Sequence, residues 1–582
     1  MKQSVDKIWQ FLQRSRNQSL DASDGQSETS FDQSAGSCFP RSREQLESLD
    51  YPPLPTTQDG IIKSAPIMIV RKFRSSTRRL YKDPGRDIIN QHILSEDVAI
   101  KLVAEFIKRL GHVIQIRSVA DLTSAPNIRQ ASPLLYAVCC LHGLRFCKDP
   151  DLVNTSVHRQ LYEEVRDMLG QVVLASPIPF EELYAVLIMS IFEAAPRPVF
   201  EYIESWLLSG ICAQQAISTI DFAEIMTNLR RGRHKSTDKR SLSLWNNICL
   251  VNLRFAVGTG KPTTIPSELL DQCPAILNHP EATLDDGIVL AEILLFSALC
   301  NKHFPPSLDR DGNCPELTAW EKRWKHLLLS EKTVSLRFCR EFAYLVLAMR
   351  SVDKYRTEAL DQSIIRPDQT SASGTVPPSG GHISDNRARL NFLYDSSQAY
   401  AHDHALLLAK TFLEMPTALV QELPKFHHIC IAYCTLVLSE FIDKAHFPRE
   451  PIFETLNDVV AHYHQFSEEI PAVMNVAIEK VKLSLNRDFA FERKRQSQID
   501  DQDPSHDEST SKRLHIQPIN ASADAHRLDA NPSANSVEVG RDFVMEEFDP
   551  ETDLFSFPTV EDFFGNWMLD FGGEYPDHPI QG

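Results

Sequence analysis

Between residues 87 and 490, apolar residues recur every three or four positions, which is the spacing of one face of an α-helix. The first such stretch runs to Leu110, with Ser95 as an N-cap and Gly111 as a stop signal. No series of alternating polar and apolar residues indicates strands, so we predict an all-α fold. The other main predicted helices span 131–147, 156–174, 179–193, 198–217, 241–257, 288–299, 331–349, 397–413, 427–441, 452–466 and 471–485.

Polar stretches divide the chain into segments. Residues 17–60 are rich in Ser, Gln and Asp and have too few apolar residues to offset the entropy of ordering, so they are predicted to be disordered. A Pro/Gly/Ser-rich stretch at 365–390 is too long for a compact core and is interpreted as a mobile insertion. The predicted organisation is a short coiled-coil-like helix at 1–16, a disordered linker at 17–60, a basic segment at 61–86, a helical domain at 87–490, a second disordered linker at 491–541 and a tail at 542–582.

The first sixteen residues carry a short apolar stripe formed by Val5, Ile8 and Leu12, which are spaced by three and four positions. This is the pattern of an amphipathic helix that could pair with a second copy of itself. Two helical turns alone are marginal in water, so we expect the isolated segment to be largely unfolded. The stripe is therefore a candidate dimer seam that needs further chain to be stable.

The charge is unevenly distributed. The 582 residues carry 60 Lys and Arg against 78 Asp and Glu, a net charge of −18, and residues 542–582 contribute eleven acids and no Lys or Arg. Acids interleaved with aromatic residues are typical of an amphipathic disordered activation segment. A tail that packs on the helical core is the alternative. The candidate partner contacts in the tail are Phe563, Phe564, Trp567 and Leu569.

The remaining composition argues against several classes of protein. The longest nearly apolar runs, such as 429–438, are about half of the ~20 residues that a membrane-spanning helix needs, and the N-terminus lacks a secretory signal core. The twelve cysteines are scattered and contain no Cys-x2-Cys pair, so we expect reduced, buried thiols and neither a metal site, a cofactor nor a catalytic centre in this chain. A Gly258–Thr263 segment lacks the Gly and Ser or Thr spacing of a phosphate-binding loop.

Two groups of His and Cys residues could bind a metal ion, but neither is interpreted as a metal site. Cys430 and Cys434 share one face of an apolar helix with His427 and His428 nearby, and buried thiols explain this pattern better than a metal site. Two short histidine motifs are interpreted as solvated helix faces: His402-Asp403-His404 and His462-Tyr463-His464.

Positive charge is concentrated in three short clusters. Each could act in nuclear import, contact phosphate or form a solvated loop, and nothing in the acidic chain presents a fixed element to DNA bases, so we expect at most weak, salt-sensitive DNA binding. The candidate import residues are Arg78, Arg79, Arg493, Lys494 and Arg495; a third basic cluster spans Arg230 to Lys235.

Four sequence blocks stand out in the helical region: Ser132–Cys140 (SPLLYAVCC), Ser205–Ile211 (SWLLSGI), Leu244–Pro262 (LWNNICL through FAVGTGKP) and Leu270–Asp286 (LDQCP through HPEATLDD). They resemble the middle homology region of fungal binuclear zinc-cluster transcription factors. Within that family they are most similar to the filamentous-fungal activators of secreted proteases. The family often has an Asp-Arg pair before its Gly-(Arg/Lys)-Pro block, where this chain has Asn252 and Leu253.

The resemblance implies a nuclear transcriptional regulator, an activator of secreted-protease or secondary-metabolism genes, in which a helical regulatory domain acts with the acidic tail. It implies contact with a coactivator or the general transcription machinery, a possible homodimer, and no membrane. The zinc cluster of the family is missing from this sequence, so zinc and specific DNA binding are expected only through a missing upstream module or a partner. The alternatives are a coregulator without DNA contacts and, less favoured, a helical ligand sensor or enzyme.

Overall fold

The computed structural model describes residues 87–147 except 124 and 126, 155–192, 203–301, 306–330, 333–364, 381–442, 447–465 and 474–483 except 476. Those up to Lys482 lie in one compact unit. All regular elements in these ranges are helices, which confirms the all-α prediction. No helix among them is long and apolar enough to cross a membrane.

The helices follow one another with short connections. Two 3₁₀ turns, Gly111–Ile114 and Cys273–Asn278, lie between them, and residues 474–475 and 477–483 are also helical. The α-helices are α1 (Glu96–Leu110), α2 (Val119–Leu122), α3 (Ile128–Ala131), α4 (Pro133–Leu144), α5 (Thr155–Leu174), α6 (Phe180–Ile191), α7 (Ser205–Thr219), α8 (Phe222–Arg230), α9 (Ser236–Thr259), α10 (Ser267–Leu270), α11 (Leu284–Leu299), α12 (Pro315–Leu328), α13 (Val334–Ile364), α14 (Gly381–Leu413), α15 (Thr417–Glu422), α16 (Lys425–Phe441) and α17 (Arg449–His464).

Helix α9 lies at the centre of the unit. Every residue from Leu242 to Thr259 is buried, so this helix has no solvent-facing stripe over five turns. It packs against α6, α7 and α11, while α11 also contacts α12 and α13. A helix that is enclosed on all sides is a core element, and its polar residues must find partners inside the protein.

A second group of helices packs around α14. Helix α14 runs along α13 and also contacts α16 and α17. The largest side chains at under 2% exposure include Trp320, Trp324 and Phe342, which fill the space between α12, α13 and their neighbours. The long α13–α14 pair therefore extends the core away from α9.

Close backbone approach holds α1 against α4. Gly143 allows this contact, because a Cβ atom there would lie 2.2 Å from the carbonyl oxygen of Leu102. Gly111 follows the last residue of α1 as predicted, with a right-handed φ, and it is also needed because a Cβ would lie 2.3 Å from the carbonyl oxygen of Ile116. Both glycines are needed because a side chain would clash with a neighbouring carbonyl oxygen, and neither has a left-handed backbone.

Two differences from the sequence prediction concern helix bounds. Helix α14 begins at Gly381, so residues 381–390 of the predicted insertion at 365–390 are helical and the prediction is wrong there. The Pro- and Gly-rich composition ends near Gly381, and the following Arg-Ala-Arg-Leu residues are strong helix formers. Helix α12 was not predicted, because its two buried Trp residues stand among many charged ones. Residues 365–380 and the predicted segments at 1–86 and 484–582 lie outside the described residues.

Candidate functional site

The side chain of Asn252 joins three parts of the domain. Its Nδ2 donates to Ser209 Oγ at 3.2 Å, and its Oδ1 accepts from Thr263 Oγ1 at 3.0 Å and from the backbone N–H of Thr264 at 3.1 Å. Asn252 is fully buried. This side-chain amide therefore connects α9 to α7 and to the segment after α9, because its NH2 group donates to Ser209 and its oxygen accepts two hydrogen bonds.

The segment after α9 reverses direction and packs on α7. Gly260 has φ of +62°, a left-handed C-cap that favours glycine. Lys261 pairs with Glu204, and its Nζ lies 4.8 Å from the centre of the Trp206 ring. Trp206 Nε1 in turn donates to the carbonyl of Pro262 at 3.0 Å. The Gly-Lys-Pro block therefore ends α9 and packs on the start of α7, and its lysine contacts Glu204 and Trp206.

A third connection joins the start of α11 to the first half of α9. Asp286 forms a capping box with Thr283, whose backbone N–H donates to Asp286 Oδ2 at 2.7 Å. The same carboxylate accepts from Lys239 Nζ at 3.0 Å and from Ser243 Oγ at 3.2 Å. Asp286 is fully buried, so these donors offset the cost of removing its charge from water. Three of the four blocks that carry the family resemblance, in α7, in α9 and at the start of α11, therefore meet around α9.

A buried ion pair lies at the other end of α9. Arg254 and Glu292 of α11 form a salt bridge in which the side chains are 8% and 4% exposed. The guanidinium also lies 4.0 Å from Cys339 Sγ of α13 and 5.5 Å from the ring centre of Phe426 in α16. Burial raises the pKa of Glu292, and the Arg254 charge opposes that rise. This pair brings four helices together at one point.

His427 completes the surroundings of the pair. Its Nε2 lies 3.9 Å from Cys339 Sγ, and the residue is 2% exposed. Burial lowers its pKa well below the usual range, and the Arg254 charge acts in the same direction. A neutral imidazole beside a guanidinium is consistent with a structural centre that carries one ion pair and no further charge.

The thiols predicted to be buried are buried. Cys430 and Cys434 have no exposed surface, and burial raises the pKa of both thiols. His428 accepts from or donates to Tyr463 Oη at 2.8 Å, and burial lowers its pKa to about 4. Within the described ranges, no group of three or more His, Cys, Asp or Glu side chains could hold a metal ion.

The interpretation of His402 and His404 as solvated is wrong. His402 is 4% exposed and stacks on Phe447 with ring centres 4.2 Å apart. His404 Nδ1 lies 2.9 Å from Glu341 Oε2, and its ring stacks on Tyr344. The packing of α14 against α16 and Phe447 buries His402, and its packing against α13 half-buries His404, which the polar sequence did not reveal. In the second motif, His462 packs on Phe412 and Tyr463 is buried, so only His464 is exposed there.

The basic cluster between α8 and α9 is an exposed turn. Residues 231–235 are solvent-exposed, Gly232 has φ of +65°, and Lys235 pairs with Glu224 at 2.7 Å. This surface remains a candidate contact for phosphate or an import factor. The other predicted site residues lie outside the described residues: Val5, Ile8, Leu12, Arg78, Arg79, Arg493, Lys494, Arg495, Phe563, Phe564, Trp567 and Leu569.

Sequence reasoning missed the buried pair of Arg254 and Glu292. Each is a single charge inside an otherwise apolar stretch of its helix, LVNLRFAVG in α9 and IVLAEILLF in α11. A charge is almost never buried unless it is paired, so two such positions in consecutive core helices could have indicated a pair. Nothing in the spacing, however, identifies which charges meet.

Comparison with known protein families gives a match for part of the chain. Residues 92–376 match the family model described as the middle domain of the transcriptional activator of proteases prtT. This part of the chain is therefore a fungal transcription factor middle domain. More particularly, it belongs to the PRTT-like middle-domain family.

Several curated relatives match about half of the chain. The transcriptional activator of proteases prtT of Aspergillus clavatus is 29% identical over 53% of this chain and 50% of its own length, and that of Aspergillus niger is 30% identical over 46% and 43%. An uncharacterized transcriptional regulatory protein of Schizosaccharomyces pombe is 24% identical over 46% and 50%. The match thus spans half or less of each relative. No solved structure matches the chain significantly.

Proposed function

We propose that this chain is a transcriptional regulator of the activator type, without enzymatic activity, in which the helical domain regulates a separate activation segment. The observation that supports this most directly is the match of residues 92–376 to the PRTT-like middle domain, together with relatives named as transcriptional activators. Supporting it physically, three of the four blocks of the family resemblance are joined to α9 by buried polar contacts, so they belong to one packed helical core.

In this proposal the acidic tail at 542–582 contacts a coactivator or the general transcription machinery. Its eleven acids keep the segment soluble and speed encounter, while the aromatic rings supply most of the affinity. Phe563, Phe564, Trp567 and Leu569 would form one face of a short helix that folds as it enters an apolar groove of the partner. Ordering on binding makes such a contact reversible.

The test is a reporter assay with the full chain fused to a foreign DNA-binding domain. The triple change Phe563→Ala, Phe564→Ala and Trp567→Ala should remove most activation at unchanged charge. The matched control replaces three acids of the same tail by Asn and should reduce activation less. Normal activation by the triple variant together with lower thermal stability would instead mean that the tail packs on the core.

Nuclear action and DNA contact are separate parts of the proposal. We propose import through Arg493-Lys494-Arg495 or through Arg78 and Arg79, and DNA binding only through another module or a partner. Replacing each cluster by Ala in a fluorescent fusion should move the protein to the cytoplasm in at least one case. A sequence-specific footprint by the purified chain at near-physiological salt would refute the DNA part.

Dimerisation through the N-terminal stripe is the remaining part. Val5, Ile8 and Leu12 provide about two turns of contact, which is too little for a stable helix pair on its own. A peptide of residues 1–16 should therefore be largely unfolded by circular dichroism. Strong helicity and dimer formation by this peptide at micromolar concentration would contradict the proposal.

A further inference from the structure

A groove of about 930 Å³ lies beside α1 and is bounded on the other side by residues 115–119 and α3. Two apolar side chains on its rim face water: Ile100 is 56% exposed and Val119 is 36% exposed. Its apolar floor is formed by Val103, Ile116, Ile128 and Tyr136. A surface with an apolar floor and an apolar rim is suited to bind an apolar segment.

The charged groups of the groove already have partners. Arg129 pairs with Asp87 and, at 3.5 Å, with Glu96, while Arg117 lies 3.6 Å from Asp285. A strongly acidic occupant would have to compete with these carboxylates for the same cations. The groove therefore favours an uncharged, apolar occupant over the acidic tail at 542–582.

Gln115 provides unused hydrogen-bonding capacity at the same place. Its backbone is left-handed, with φ of +61°, and its Nε2 and Oε1 atoms are buried without a hydrogen-bond partner among the described residues. An amide side chain offers one acceptor and two donors. The backbone of an extended peptide, which presents N–H and C=O groups together, would satisfy both once the side chain turns from its buried position into the groove.

The chain itself supplies such a peptide close by. Residues 61–70 read IIKSAPIMIV and contain a single charge, whereas the neighbouring residues 17–60 are mostly polar. The first described residue, Asp87, is held at the groove by Arg129. A flexible chain of sixteen residues, the number from 71 to 86, would span roughly 20–24 Å, which matches the roughly 22 Å length of α1.

We propose that the segment Ile67-Met68-Ile69-Val70 binds in an extended conformation in the α1 groove of the same chain. Alternate side chains of the segment would contact the apolar floor, and its backbone would pair with the Gln115 amide. Tethering through residues 71–86 makes the contact intramolecular, so a weak intrinsic affinity suffices. Binding would hold the basic residues from Arg71 to Arg86 against the helical domain.

The test uses the full chain with a photo-cross-linking amino acid in place of Met68. We expect cross-links to α1 and residues 115–119, mapped by mass spectrometry. The double change Ile100→Asp and Val119→Asp should lower their yield about tenfold, because a carboxylate against an apolar contact loses hydration. The matched control is Leu174→Asp, at an 89% exposed leucine on α5, which should leave the yield unchanged.

Several outcomes would overturn the proposal. These are cross-links to a different surface, equal yields in the groove variant and the control, or cross-links that join isotopically labelled and unlabelled copies. Far-UV circular dichroism checks that the groove variant folds. If it does not fold, Ile67→Asp with Ile69→Asp replaces it: hydrogen exchange of α1 and residues 115–119 should then increase relative to the unchanged chain, and unchanged exchange would refute the contact.

Discussion

Removing the guanidinium from the buried ion pair is the sharpest test of the core. Arg254→Met keeps most of the side-chain volume but leaves Glu292, 4% exposed, with its main charge partner gone. Breaking a buried pair from one side costs about 3–5 kcal/mol in the free energy of unfolding, because an uncompensated charge stays buried. The lost contact with the Phe426 ring acts in the same direction.

The matched control is Arg337→Met, which also lies on the core helices but pairs with an exposed carboxylate. Glu414, its partner, is 58% exposed, so water can solvate it when the arginine is removed. A pair of this kind contributes about 1 kcal/mol or less. Urea unfolding followed by far-UV circular dichroism and tryptophan fluorescence should therefore separate the two variants by several kcal/mol.

The loss should depend on pH with a defined sign. In Arg254→Met the folded-state pKa of Glu292 should rise further above its unfolded value of about 4.3, since burial is then opposed only by the weaker hydrogen bond with Cys339. A carboxyl group with a raised pKa destabilises the fold above the unfolded pKa, and protonation relieves this as pH falls. The deficit should be largest near neutral pH and shrink toward pH 5.

Adding Glu292→Gln to Arg254→Met should restore part of the lost stability and remove its pH dependence. Comparable small losses in Arg254→Met and Arg337→Met would refute the reasoning. So would a double variant that is no more stable than Arg254→Met, because the penalty would then not come from a buried unpaired charge.

Three further predictions concern local contacts. Gly143→Ala should lower the thermal midpoint strongly, because its Cβ would meet the Leu102 carbonyl at 2.2 Å, whereas Gly170→Ala, with nothing within 4 Å, should raise stability by about 0.5–1 kcal/mol; equal effects would contradict the close approach. Asp286→Ala should cost about 2 kcal/mol or more in urea unfolding, since it removes the α11 cap and leaves Lys239 without its buried partner. In thiol-labelling mass spectrometry, half-buried Cys147 and Cys300 should react before Cys430 and Cys434, which should react only on unfolding.

The helical period of the sequence was enough to predict the fold class and most helices. In α1, apolar residues spaced by three and four positions predicted the buried face that the structure has. A helix with one buried and one solvent-exposed face shows this directly in its sequence, because its apolar residues recur with the helical period. A local signal can also have a tertiary role that the sequence does not show. Gly111 ends α1 as predicted, and it also admits the carbonyl of Ile116, which a side chain would block.

The candidate site is a product of the tertiary structure. Asn252, Arg254 and Asp286 each appear in the sequence as polar residues within or beside an apolar run, and their partners lie at distant positions along the chain. In the sequence His402 and His404 look like solvated residues, but α14 packs His402 against Phe447 and His404 against α13. The sequence by itself determined which residues form helices and which blocks resemble a family. Only the packing of those helices decided which buried charges meet, because pairing depends on distances between elements that no local pattern encodes.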